Sequence, residues 1–115
     1  MANLQTKERP PKRSHQWIDA CDLEMARVIA GKIRHNPALF QEAVKALRHW
    51  KRILHPVPKA VLEWERIFRQ NTREEVLQIL TQDNDEGQRL RQSDPFCGIL
   101  TDQERLRLLD CYEEE

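Results

Sequence analysis

From Trp17 to Ile33 the apolar residues return every three or four positions: Trp17, Cys21, Met25, Val28, Ile29 and Ile33 all fall on one side of a helix. The same period recurs in Phe40, Ala43, Val44, Leu47, Trp50 and Leu54, then in Val61, Leu62, Trp64, Ile67 and Phe68, then in Val76, Leu77 and Leu80. Only three glycines occur, and most of the six prolines stand where such helices would begin or end. Little or no sheet is therefore expected. The predicted fold is all-α, a single-domain bundle of about five to six short helices preceded by a flexible basic N-terminal arm. At 115 residues the chain is long enough for one modest core.

The predicted domain covers residues 14–112, between a basic arm over 1–13 and an acidic tail over 113–115. The arm is polar, contains Pro10-Pro11, and has no apolar face to bury. Ser14 is the expected N-cap of helix 1, about 15–35, with Asp19, Asp22 and Glu24 early and Lys32, Arg34 and His35 late, as the helix dipole favours. Asn36-Pro37 supplies a cap and a first helical position for helix 2, about 37–54; so short a link predicts an antiparallel hairpin of helices 1 and 2. His55-Pro56-Val57-Pro58 forces a corner before helix 3, about 58–70. Thr72-Arg73-Glu74-Glu75 and Thr101-Asp102-Gln103-Glu104 are both capping boxes, opening helix 4 (73–82) and helix 6 (102–112), the latter expected to bury Leu106, Leu109 and Tyr112. Helix 5, about 86–92, follows the polar break at Asp83-Asn84-Asp85.

The zero net charge conceals a division. Residues 1–70 hold 14 Lys/Arg against 7 Asp/Glu, and residues 71–115 hold 5 against 12. Two halves of one fold attracting each other is one reading, and a basic face for an acidic partner is the other. Three widely spaced cysteines, Cys21, Cys97 and Cys111, with no Cys-x-x-Cys pair, suggest reduced, buried thiols in a cytoplasmic protein. No apolar run approaches the ~20 residues that cross a bilayer, so no membrane association is expected.

Catalytic signatures are sparse: no Gly-rich phosphate loop, no Gly-x-Ser-x-Gly, no paired histidines on one helical face. No enzyme, cofactor or metal site is expected. A site built on His49 and His55, or a nucleophilic Cys97, stands as a third reading without a substrate. Trp17, Trp50 and Trp64 coincide with the apolar stripes and are assigned to the core rather than to base stacking.

The passage that generic helical sequence does not require is Gln88-Arg89-Leu90-Arg91-Gln92-Ser93-Asp94-Pro95-Phe96-Cys97-Gly98-Ile99-Leu100-Thr101. Two readings remain open. Arg89, Arg91, Gln92, Asp94 and Phe96 form a contact surface for a protein partner, with Arg89 and Arg91 as forked donors and Phe96 as an apolar anchor. Alternatively, Asp94-Pro95 makes a turn, Phe96, Ile99 and Leu100 plug the end of the bundle, and Arg89 or Arg91 bonds freed backbone carbonyls. A nucleic-acid reading places Lys45, Arg48, Lys51 and Arg52 of helix 2, with Lys59 and the arm, against phosphates. A homodimer through helix 3 or 4 is compatible with either.

Asn36-Pro37-Ala38-Leu39, Leu47-Arg48-His49-Trp50, Leu62-Glu63-Trp64-Glu65-Arg66-Ile67, and above all the run from Arg89 to Leu100 followed by Glu104-Arg105, resemble a group of small uncharacterised bacterial helical proteins. That group ends in an Arg-Gln-Ser-x-Pro-Phe-x-Gly-x-Leu signature, and the similarity spans about residues 25–110. Asp94 and Cys97 stand here where the group has small residues. The resemblance implies a place in toxin–antitoxin-like gene pairs, as the antitoxin or accessory partner, and hence a binding role without catalytic residues.

Overall fold

The computed structural model describes the backbone of residues 15–113 and the side chains of 15–110. The arm over 1–13, the Ser14 cap, the side chains of Cys111 and Tyr112 and the end of the acidic tail lie outside the described residues. Six α-helices run in order: α1 (His15–His35), α2 (Phe40–Ile53), α3 (Lys59–Gln70), α4 (Arg73–Leu80), α5 (Asp85–Arg91) and α6 (Asp102–Glu113). Two 3-10 turns, Pro37–Leu39 and Cys97–Ile99, join them, and no strand occurs among the described residues. The all-α expectation holds.

Local chemistry sets the boundaries. Both capping boxes form: Glu75 N–H donates to Thr72 Oγ1 at 3.1 Å and Thr72 N–H to Glu75 Oε1 at 2.8 Å. Glu104 N–H donates to Thr101 Oγ1 at 3.0 Å and Thr101 N–H to Glu104 Oε1 at 2.8 Å. At the polar break the cap is Asn84, whose Oδ1 accepts Gly87 N–H at 2.7 Å. Gly87 is buried against the carbonyl of Gln82, with which any Cβ at this position would collide. Asn36 departs from expectation: its side chain makes no cap bond, and Pro37 opens a 3-10 turn instead of α2 itself. Nor does α1 carry an acid in its first turn, so the dipole match holds only at its basic end, Lys32, Arg34 and His35.

The helix 1–helix 2 hairpin is not the pairing that forms. α1 packs against α4, α5 and α6, whereas α2 pairs with α3 and with the Cys97–Ile99 turn. The turn at Pro37–Leu39 folds onto α1 and carries the chain away from it. The core gathers Ile29, Ala30 and Ile33 of α1, Ala43 and Leu47 of α2, Val61 and Trp64 of α3, and Val76, Leu77 and Leu80 of α4. Three expected inward residues are displaced: Leu54 is 38% exposed because α2 ends at Ile53 and Leu54 lies in the extended corner beyond it. Leu62 is 41% exposed and Leu106 is 60% exposed, Leu108 packing against the core in place of the latter. Trp17 and Trp64 are buried, and Trp50 is half-buried against the core.

The halves of opposite charge do meet. Lys32 Nζ lies 2.7 Å from Glu104, and Arg34 grips Glu74 with two bonds of 3.0 and 2.8 Å. The second pair is about half-exposed on both sides, so it contributes only ~0–1 kcal/mol. No helix of the described residues is long and apolar enough to cross a membrane.

Candidate functional site

The irregular passage after α5 is held from all sides. Asp94 Oδ1 accepts the Phe96 N–H at 2.8 Å, closing an Asx turn at Asp94-Pro95. Phe96 then enters the core with 0% exposure, its ring centroid 5.7–6.2 Å from those of Phe40, Trp64 and Phe68. Ile99 and Leu100 are buried beside it. Because this backbone makes few regular hydrogen bonds, its carbonyls are met by side chains. Trp64 Nε1–H donates to Leu90 O at 3.1 Å, Arg105 Nη2 to Cys97 O at 2.6 Å, and Lys32 Nζ to Ile99 O at 2.8 Å.

These positions correct the contact surface expected here. Phe96 is an internal plug and not an anchor for a partner. Arg91, 6% exposed, turns inward, its Nη1 donating to Leu80 O at 2.9 Å and Gln82 O at 2.7 Å. Arg89 is exposed but engaged, bidentate to Glu63 at 3.0 and 2.7 Å and bonded to Glu86 at 2.6 Å. Those carboxylates hold the Arg89 guanidinium above its usual range, and Arg89 holds Glu63 below the usual carboxylate range. Of the five residues, Gln92 alone is exposed without such engagement, and Asp94 is half-buried. Cys97 is exposed, contrary to the expectation of a buried thiol, while Cys21 is buried.

What the passage does build is a cavity of about 520 Å³ against α1. Arg91, Gln92, Ser93 and Asp94 line it together with Asp22, Met25 and Ile29 of α1, and Trp50 and Arg105 also line it. Burial pushes the Asp94 carboxyl up to about 6, with the nearby Asp22 charge adding and the Phe96 N–H and Arg91 opposing. Burial also pushes Asp22 up, reinforced by Asp19 and opposed by Arg91. Arg91 is drawn down from its usual value by burial, against the pull of Asp22, Asp83, Asp19 and Asp94. None of the four histidines lines this cavity, and no group of His, Cys, Asp and Glu among the described residues is placed to hold a metal ion. His55 sits at the end of α2, its Nε2 2.9 Å from Arg52 O.

A second concavity, about 270 Å³, lies between α2 and α3. Its floor is Phe40, stacked on Phe68 at 5.0 Å, with Val44, Leu47 and Val61. Its rim is Arg48, Lys51 and Arg69, with Glu65 between them; Glu65 accepts from Lys51 at 2.7 Å and lies 3.8 Å from Arg69. Lys45, Arg48, Lys51 and Arg52, the expected phosphate contacts, are all exposed on α2. Lys45 lies 3.7 Å from Glu42, and Arg52 Nη2 lies 3.4 Å from His49 Nδ1.

Asp22 and the groove residues Val44 and Phe68 were not legible as site residues. Asp22 left one trace, a carboxylate set directly beside the apolar positions Cys21 and Met25 on a long helix. No family model matches the chain, and neither a curated protein nor a solved structure matches it.

Proposed function

We propose that the chain is a non-enzymatic, cytoplasmic protein-binding module, in the manner of an antitoxin or accessory partner of a gene pair. On this reading the α2–α3 groove receives an acidic amphipathic helix of a single partner protein. The observation that carries it is the pairing of an apolar floor, Phe40, Val44 and Phe68, with three cations on the rim, Arg48, Lys51 and Arg69. An amphipathic helix lays its apolar side chains into such a groove, and its acidic flank meets the rim. Glu65 offsets part of that positive charge, leaving a net positive edge. The resemblance of the 89–100 passage to proteins of toxin–antitoxin-like pairs supports a binding role of this kind.

The test compares the tagged chain and its Val44→Asp variant as baits in host extract, with and without nuclease, at low and high salt. The expected result is one protein retained by the wild type through nuclease and lost from the variant, whose far-UV circular dichroism is unchanged. Retention of the same protein by Val44→Asp overturns the groove assignment. Material that elutes with salt and disappears with nuclease transfers the function to nucleic acid on Lys45, Arg48, Lys51 and Arg52. Recovery of a second copy of the chain alone makes the groove a homodimer interface.

A further inference from the structure

Arg91 carries five N–H donors in a fixed fork, and a guanidinium does not release its proton in a protein. Its Nη1 is spent on the carbonyls of Leu80 and Gln82. Its Nε and Nη2, the edge that takes a carboxylate in two parallel bonds, are buried and have no hydrogen-bond partner. A charged donor edge left in this condition is costly until an acceptor meets it. Asp22 and Asp94 line the same cavity, and only Asp94 is hydrogen-bonded, to its own turn. Arg91 and Asp22 sense each other's charge without closing into a bonded pair.

The cavity is therefore lined by Arg91, whose donor edge is buried and unmet, by the unbonded Asp22 carboxylate and by an apolar wall, around about 520 Å³. We propose that it binds a free α-amino acid, the ligand carboxylate on the Nε–Nη2 edge of Arg91 and the ligand ammonium facing Asp22 and Asp94. The ligand side chain lies along Met25, Ile29 and Trp50. The two aspartates disfavour a bare anion, and a simple cation leaves the fork unmet; a zwitterion answers both. The lining charges agree, since Arg91 and Arg105 balance Asp22 and Asp94. An ammonium here also favours the ionised carboxylates that burial disfavours. This site is separate from the α2–α3 groove, and its test does not depend on any partner protein.

The experiment is calorimetric titration of the full chain with each of the twenty amino acids, alongside acetate and ethylamine as the two halves of the proposed ligand. At least one amino acid is expected to bind with a dissociation constant on the order of 1 mM or tighter, and neither half to match it. Asp22→Asn and Arg91→Lys, the latter keeping the charge but not the fork, each weaken that binding at least about tenfold, or ~1.4 kcal/mol. Should Arg91→Lys lose its far-UV helical signal, Asp22→Asn alone decides. No amino acid binding at about ten times that concentration overturns the proposal. So does acetate binding as tightly as the amino acid, or unchanged affinity in a folded Asp22→Asn.

Discussion

The indole N–H of Trp64 donates to the carbonyl of Leu90 across 26 positions of sequence, at 3.1 Å and out of contact with solvent. That bond ties the middle of α3 to the last turn of α5, at the point where the chain leaves helix for the irregular passage. Trp64→Phe keeps an aromatic ring in the cluster but removes the shorter of two donors to a buried carbonyl, leaving Leu90 O only the Ser93 N–H at 3.3 Å. We expect a loss of about 0.5–1.5 kcal/mol, read as a lower urea midpoint at unchanged helicity. A variant as stable as the wild type would show that the Ser93 N–H alone satisfies Leu90.

Phe96→Ala separates plug from anchor. With its ring wholly enclosed by Phe40, Trp64 and Phe68, truncation leaves a cavity and costs about 3–5 kcal/mol. A thermal melt displaced far downward, or no cooperative melt, is the expected outcome. A normal melt would return Phe96 to the surface.

Asp94 makes stability fall as pH rises. Its folded value of about 6 lies above the ordinary 3.8, so the folded state holds the proton more tightly. Its contribution is full below about 4 and is lost as pH climbs through 6; the shift corresponds to about 3 kcal/mol at most. Asp94→Asn keeps an acceptor for the Phe96 N–H while removing the charge. The variant should be more stable than wild type at pH 7, with a flatter stability curve between pH 4 and 6. Parallel curves would refute the burial argument.

Glu104 acts with the opposite sign. Bonds from Lys32 foremost, then from the Thr101 backbone, hold its carboxyl down at about 2. The contribution is present above about 4.5 and disappears as pH falls toward 2. Glu104→Gln retains the acceptor for Thr101 N–H and loses the ion pair to Lys32, so α6 should exchange its amide hydrogens faster at pH 7. The difference from wild type should shrink in acid; a gap that persists at pH 2 would contradict this assignment.

Gly87→Ala tests a contact of the backbone itself. A Cβ at this buried site meets the carbonyl of Gln82, which is not the flexible end of a side chain. Destabilisation of about 1–3 kcal/mol is expected from the forced shift. Gly98→Ala is the comparison, since nothing lies within 4 Å of its Cβ position, and it should be close to neutral.

The features legible in the sequence are those whose causes sit within a few residues. The capping boxes at Thr72 and Thr101 and the apolar stripe of α1 need only local spacing, and the structure repeats them. The Asp94-Pro95 turn and an arginine bonded to freed carbonyls were also within reach, as one of two readings. Which carbonyls those are depends on how α4 and α5 pack, and no spacing encodes that. The α1–α2 hairpin failed for the same reason, because a short link limits distance without choosing a partner. Leu106 was misassigned because Leu106, Leu108 and Leu109 fit more than one helical phase, and only the neighbouring elements select Leu108. The cavity was hidden most deeply, since it joins Asp22 to a passage some seventy positions away.

Arg91 reaches back to Leu80 and Gln82, bridging the connection between α4 and α5. That connection is thereby fixed in length. One residue inserted or deleted over 81–84 would carry both carbonyls out of register with the guanidinium, whereas the exposed corner at Leu54, His55 and Pro56 has no comparable clasp. Insertions between diverged copies of this chain should therefore collect at the corner after α2 and be absent after α4, a pattern that genes alone can reveal.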